Sequence, residues 1–172
     1  RPLLSWHTIA MSDATLSPTI RAATTEDLES LVELVAQYYT YDGISFDRAA
    51  IERGLRELLA QPALGGAWLI YTGGAGPLQS EPAGYFVMTY GFDLEFGGRQ
   101  ATITELFLTE PHRRSGLGSA ALRFAEQLLR SQGIGALELQ AERHNQAALA
   151  FYKRQGFEAH DRIPLSKRLT GV

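Results

Sequence analysis

The chain has 172 residues, a formal net charge of -3 and no cysteine, and 45% of its residues are apolar. This length and composition are typical of one globular domain with its own hydrophobic core. The lack of cysteine excludes disulfides, thiolate metal ligands and a cysteine nucleophile, and the four histidines show no metal-ligand spacing. The negative charge argues against a nucleic-acid partner, whose phosphates demand a basic face.

The chain also shows no sign of a membrane partner. No apolar run approaches the roughly 20 residues that a membrane span needs, and the first ten residues are too few and too polar for a signal peptide. We therefore expect a cytoplasmic protein. Residue 1 is Arg, whereas Met11 would be a natural start. We interpret residues 1–17 as a flexible N-terminal extension and residues 18–172 as a single domain.

The first two thirds of the chain predict four strands and two helices. Thr24 and Asp27 resemble a capping box before the first helix, and Asp47 can cap the second. Gly97 and Gly98 permit the positive backbone angles of a tight hairpin. The predicted strands are 19–23, 67–71, 83–96 and 99–108. The first helix has apolar residues at helical spacing from Leu28 to Tyr39 and is ended by Gly43, and the second follows Asp47 and is stopped by Pro62.

The last third predicts alternating helices and strands. Residues 119–132 carry the clearest apolar helical stripe, a strand is expected at 136–142, and a short helix at 145–155. We expect one or two final strands at 157–169. This element order predicts a mixed α/β fold with one crossover helix between the fourth and fifth strands.

The segment from Arg113 to Ser119 lies between a predicted strand and that helix. Gly116 and Gly118 lack a Cβ, so the backbone can curl tightly and approach a ligand. Unpaired N–H groups at the helix start, the helix dipole and the Arg113 and Arg114 guanidinium groups would suit a pyrophosphate. A glycine turn with two solvated arginines is the simpler alternative. The dinucleotide fingerprint G-x-G-x-x-A also fits. In that fold the strand runs directly into the first glycine, whereas residues 110–114 intervene here, and the loop lies late in the chain.

Residues 145–157 form a second motif. Asn145 can cap a helix, and its amide can also bind a ligand. Tyr152 lies two turns further along, near the same face. Taken alone, Tyr152 could equally be an amphipathic wall residue with its hydroxyl in water.

These residues together resemble the GNAT N-acetyltransferases. Arg113, Gly116 and Gly118 match the R/Q-x-x-G-x-G/A signature of that family. Residues 145–157 are similar to its N-x-x-A-x-x-F/L-Y-x-x-x-G-F segment, and residues 104–108 to its strand D/E-L/F-F/Y-V. The resemblance implies a mixed, mostly antiparallel central sheet flanked by helices, with strands 4 and 5 splayed at the cofactor site, and acetyl-CoA as the cosubstrate.

The resemblance also implies roles for the matched residues. Tyr152 would protonate the departing sulfur, and Glu105 would take the amine proton, unless it is a strand carboxylate that only attracts a cation. The residues expected to bind acetyl-CoA are Leu106, Phe107, Leu108, Arg113, Arg114, Ser115, Gly116, Leu117, Gly118, Ser119, Asn145 and Tyr152. No metal is expected.

The candidate substrate residues are Tyr38, Tyr41, Asp42 and Glu105, which resemble the branch of the family that acetylates small amines and polyamines. That branch often has two adjacent carboxylates, and Thr104 replaces the first of them. We expect acetyl transfer to the primary amine of a small molecule such as an amine, polyamine or amino-acid-like compound, and the family implies a homodimer. The alternatives are a protein or peptide N-acetyltransferase, a non-catalytic acyl-CoA sensor and, third, a dinucleotide oxidoreductase.

Overall fold

The computed structural model of the protein describes residues 18–73, 81–167 and 169. The predicted extension at 1–17 lies outside these residues and stays a prediction. The helices and strands are, in chain order, β1 (Thr19–Ala22), α1 (Leu28–Asp42), α2 (Arg48–Ala60), β2 (Gly65–Tyr71), β3 (Gly84–Asp93), β4 (Gly98–Leu108), α3 (Leu117–Ser131), β5 (Ala136–Leu139) and α4 (Gln146–Arg154).

The strands form one sheet in the order β1-β2-β3-β4-β5. The first four strands are antiparallel neighbours, and β5 runs parallel to β4. The prediction of a mixed, mostly antiparallel sheet is therefore confirmed. The splaying of the fourth and fifth strands stays a prediction.

The chain groups into two compact units, one ending at Glu138 and the other beginning at Leu139. The first unit contains α1, α2, α3 and the four antiparallel strands, and the second contains α4. The interpretation of residues 18–172 as a single domain stays a prediction. Across the described ranges, no helix is long and apolar enough to cross a membrane, and no group of three or more His, Asp or Glu side chains could hold a metal ion.

The helix caps follow the sequence signals. The Asp27 carboxylate accepts a hydrogen bond from the Thr24 N–H at 2.8 Å, which forms the predicted capping box. The Asp47 carboxylate accepts from the Ala50 N–H at 3.1 Å and caps α2. Gly43 ends α1 at φ +68°, a left-handed angle that favours glycine.

Helices cover both faces of the sheet. Trp68 and Phe86 lie on one face, where their rings stack at 5.0 Å and Phe86 meets Phe124 of α3 at 6.4 Å. Alternation along the strands sends their neighbours to the opposite face, against α1 and α2. The buried cluster on that second face contains Leu28, Leu31, Val32, Leu34, Val35, Leu55, Ala67, Leu69, Tyr71, Tyr85, Val87 and Phe107.

Predictions for some strand ends, and for the end of the chain, are wrong. Residues 157–167 and 169 contain no strand. Pro164 has no N–H to donate to a strand ladder, and the Ile163 and Leu165 side chains are 72% and 91% exposed. Their apolar character therefore does not reflect burial in a sheet. Similarly, β3 ends at Asp93 because residues 94–97 form the hairpin turn, and β5 ends at Leu139 rather than at 142.

Candidate active site

A β-bulge in β4 decides which side chains face α1 and α2. Val87 pairs with Glu105, but the next residue of β3, Met88, pairs with Ile103, so Thr104 is an extra residue in β4. Without the bulge, Ile103, Glu105 and Phe107 would share one face of the sheet. With it, Phe107 joins the cluster under α1 and α2, whereas Ile103 is buried outside that cluster. The bulge therefore turns Glu105 toward the same side as α1 and α2.

Two tyrosines hold the Glu105 carboxylate. The Tyr85 hydroxyl donates to Oε2 at 2.5 Å, and the Tyr39 hydroxyl donates to Oε1 at 3.2 Å. A carboxylate oxygen has two lone pairs, so each can accept a second donor beside its tyrosine. Within the described ranges, no Lys, Arg or His side chain forms an ion pair with Glu105.

The environment shifts the pKa values of Glu105, Tyr39 and Tyr85. Burial raises the pKa of Glu105 above its usual range, and the hydrogen bonds from Tyr85 and Tyr39 oppose that rise. Burial, together with the nearby Glu105 charge, raises the pKa of Tyr39 to about 12 and that of Tyr85 well above its ordinary value. The tyrosines therefore stay protonated donors at neutral pH, and the carboxyl group is more basic than an exposed one.

Glu105 opens on a cleft of about 170 Å³ between α2 and the sheet. Its lining is apolar apart from the Glu105 carboxylate. Val87, the cross-strand partner of Glu105, and Val35 of α1 contribute to the lining. The α2 wall consists of Ala50, Ile51, Gly54, Leu55 and Leu58.

Arg113 connects the loop before α3 to other predicted site residues. Its Nε donates to the carbonyl oxygen of Leu108, the last residue of β4, at 3.0 Å. Its guanidinium carbon lies 4.0 Å from the ring centroid of Tyr41 and 5.5 Å from that of Phe107. This arrangement fixes the loop against the end of β4. It also places a cation–π contact between a predicted pyrophosphate residue and a predicted substrate residue.

The loop itself has an unusual backbone. Arg114 has φ +59° and is the one non-glycine residue with positive φ in the described part of the chain; Gly116 follows at φ +86° and caps α3. The Ser115 hydroxyl donates to the His112 carbonyl at 2.6 Å. A left-handed non-glycine residue costs about 1–3 kcal/mol and is concentrated at functional sites. Leu117, Gly118 and Ser119 form the first turn of α3.

Of the other predicted substrate residues, Tyr38 packs against β4. The Tyr38 ring centroid is 5.7 Å from that of Phe107. Tyr41 is exposed, and Asp42 is the exposed last residue of α1. Leu106 and Leu108 flank Phe107 and are half-buried.

The second unit contains the other motif. The Asn145 side chain accepts a hydrogen bond from the Ala148 N–H at 3.0 Å, so the predicted cap of α4 is confirmed. The Tyr152 ring lies 5.2 Å from that of Phe151 and 5.8 Å from that of Phe157. Burial raises the pKa of the Tyr152 hydroxyl.

Sequence reasoning missed Tyr39 and Tyr85. Tyr39 stood in the stretch of tyrosines at the end of α1, and that clustering was a usable signal. Tyr85 gave none, because its neighbour across the sheet depends on the register between β3 and β4 and on the bulge.

Residues 28–157 match the acetyltransferase (GNAT) family. The chain therefore belongs to the GNAT acetyltransferase family and is an acyltransferase. A curated relative, spermidine N(1)-acetyltransferase of Thermoplasma acidophilum, is 25% identical over 148 residues, which are 85% of this chain and 91% of the relative.

Solved structures share the fold. An integron cassette protein from the mobile metagenome of Cole Harbour salt marsh is 32% identical, with a TM-score of 0.75, covering 89% of this chain and 91% of its own. An aminoglycoside N-acetyltransferase in complex with CoA is 14% identical, with a TM-score of 0.73, covering 89% and 95%. At that lower identity the likeness concerns the fold alone.

Proposed function

We propose that the protein transfers an acetyl group from acetyl-CoA to the primary amine of a small molecule. The observation that carries this proposal is Glu105, a half-buried carboxylate without a cationic partner among the described residues, open to a cleft. An amine must lose a proton to attack, and a free alkylamine has a pKa near that of Lys, about 10.4. A basic carboxylate beside the amine can attract the ammonium group and accept its proton.

The cosubstrate assignment rests on the family and on the local backbone. Acetyl-CoA supplies the activated thioester. The N–H groups of residues 114–119 would bind its pyrophosphate, with added charge from Arg113 and Arg114. The Arg113 N–H takes no part, because it donates to the Glu110 carbonyl oxygen at 3.2 Å. Ser115 and Gly116 shape the loop. Leu106, Phe107 and Leu108 would pair with the pantetheine arm as an added strand. The backbone N–H of Leu108 would support the thioester oxygen.

The leaving thiolate needs a proton, and we assign this role to Tyr152, on the helix that Asn145 caps. A burial-raised pKa keeps the hydroxyl protonated at neutral pH and available as a donor. One relative adds support for an amine acceptor, because it is named as a spermidine N(1)-acetyltransferase.

The test is thiol release from acetyl-CoA over a panel of alkylamines, polyamines, aminoglycosides and peptides, with the protein's affinity for CoA measured by calorimetry. Tyr152→Phe should lower turnover about 10²- to 10⁴-fold, the range of a general acid, and leave CoA affinity similar. Tyr90→Phe, in β3, is a matched control for loss of a tyrosine hydroxyl. Full turnover in Tyr152→Phe would remove the general-acid role. No thiol release with any amine, in a protein that binds no CoA, would overturn the function.

A further inference from the structure

The cleft beside Glu105 combines one charge with an otherwise apolar lining. Glu105 and Val87 face it from the sheet, and Ile51, Leu55 and Leu58 face it from α2. The Tyr39 and Tyr85 hydroxyls that donate to Glu105 are neutral. The chemical complement of this surface is one cation attached to one apolar body.

A second cation would find no partner along this lining. Transferring an ammonium group from water to an apolar wall without a counter-charge is strongly unfavourable. A polyamine extended along the cleft would place its second ammonium beside apolar α2 side chains. A hydrocarbon of the same length would instead gain from leaving water.

The volume of the cleft sets the size of the body that it can enclose. A water molecule takes about 30 Å³ of liquid volume, so 170 Å³ corresponds to about six waters. Pockets for drug-sized ligands hold about 300–1,000 Å³. A chain of five or six carbons is therefore the scale that fits, and an aminoglycoside is too large to be enclosed.

We infer that this cleft holds the acceptor, and that the acceptor is a monoamine with a short hydrocarbon body rather than a polyamine. The inference rests on the proposed function, because it names the substrate class of the same site. Glu105 holds the ammonium group, and α2 selects the body attached to it.

n-Hexylamine and 1,5-diaminopentane test this selection because they have the same number of non-hydrogen atoms. n-Hexylamine ends in a methyl group, whereas 1,5-diaminopentane ends in a second ammonium group. We expect kcat/KM for thiol release to be about a hundredfold higher with n-hexylamine. The second ammonium group of 1,5-diaminopentane would find no partner in the cleft, and an unpaired polar group strongly disfavours binding. Binding of each amine, followed by NMR titration of the protein, should show the same order and should weaken in Glu105→Gln.

Gly54 allows a matched pair of variants. It lines the cleft from α2, and a Cβ built on it meets no atom within 4 Å. Gly54→Glu adds a carboxylate to the apolar wall, and Gly54→Gln adds the same bulk without charge. Replacing a helical glycine with either residue does not lower helix propensity. Gly54→Glu should shift the preference toward 1,5-diaminopentane about tenfold relative to Gly54→Gln, because it supplies the missing counter-charge.

The outcomes separate the two proposals. Equal or better use of 1,5-diaminopentane by the wild type, or equal binding of the two amines, overturns the monoamine inference and leaves acetyl transfer standing. Preferential binding of n-hexylamine that depends on Glu105, without thiol release, supports the cleft assignment and overturns the proposed function. An identical preference in Gly54→Glu and Gly54→Gln contradicts the placement of the acceptor body beside α2.

Discussion

Removal of the Tyr85 hydroxyl should make Glu105 hold its proton more tightly. Tyr85→Phe keeps a ring that is fully buried in the wild type and removes the donor that lies 2.5 Å from Oε2. That distance belongs to the short, charge-assisted class of hydrogen bonds. Such a bond favours the ionised carboxylate, so its loss lets burial raise the pKa of Glu105 further.

The size of this effect follows from the hydrogen bond. Hydrogen bonds to charged groups contribute about 1.5–3 kcal/mol, which corresponds to about a tenfold to hundredfold change in proton affinity. Tyr39→Phe should act in the same direction but more weakly, because its hydroxyl lies 3.2 Å from Oε1. A base must be ionised to accept a proton, so the acid limb of the kcat/KM profile should move to higher pH in both variants.

The direct measurement is a carbon-13 NMR titration of the Glu105 carboxyl group in the free protein, with Glu105→Gln to assign the signal. Tyr71→Phe is the matched control, since its hydroxyl accepts a hydrogen bond from Arg21 and does not contact Glu105. An unchanged Glu105 titration in Tyr85→Phe would refute the argument from the hydrogen bond. A shifted titration with an unshifted kcat/KM profile would instead refute Glu105 as the base.

Two further predictions concern stability. The Arg21 guanidinium donates to the two Asp27 carboxylate oxygens at 2.6 and 2.7 Å and lowers the pKa of Asp27 to about 2. This ion pair therefore stabilises the fold above the unfolded pKa near 4, and the stabilisation is lost as the pH falls toward 2. Asp27→Asn should therefore cost about 1–2 kcal/mol at pH 7 in urea unfolding and almost nothing near pH 2; an equal loss at both pH values would contradict this. Gly84→Ala should cost about 1–3 kcal/mol, because its Cβ would overlap the Phe107 carbonyl oxygen. Gly54→Ala, in open space, is the control, and equal urea midpoints for the two would refute the clash.

The local elements were predictable because their signals are local. The Thr24 and Asp27 pair caps the short 3-10 turn at Thr25–Asp27 that leads into α1. The left-handed Gly43 ends α1, and Asn145 caps α4. Each signal involves residues within a few positions, where hydrogen-bond geometry is independent of the rest of the fold. The predicted strand after Phe157 failed because a strand needs a partner, and apolar residues around Pro164 do not supply one.

The site was predictable only as far as its residues follow a spacing. The spacing identified Glu105 and the loop from Arg113 to Ser119, but it did not place them. One extra residue, Thr104, reverses the alternation of β4, so a period-two reading puts Glu105 and Ile103 on the same face. The hydrogen bond from Tyr85 to Glu105 joins residues 20 positions apart. It depends on the bulge, because the bulge sets which residues of β3 and β4 lie side by side.

The apolar wall of the cleft also acts on Glu105 itself. Burial is the largest influence on the pKa of this carboxyl, and it raises the pKa, while two tyrosine donors restrain it. A base is most effective when its pKa approaches the working pH, so burial improves proton acceptance as long as the tyrosines keep the group ionised. The same side chains that select a hydrocarbon body therefore also set the basicity of the group that takes its proton. A polar substitution in the α2 wall that admits water or a second cation should lower the pKa of Glu105, so a change in acceptor preference at this site carries a change in pH dependence with it.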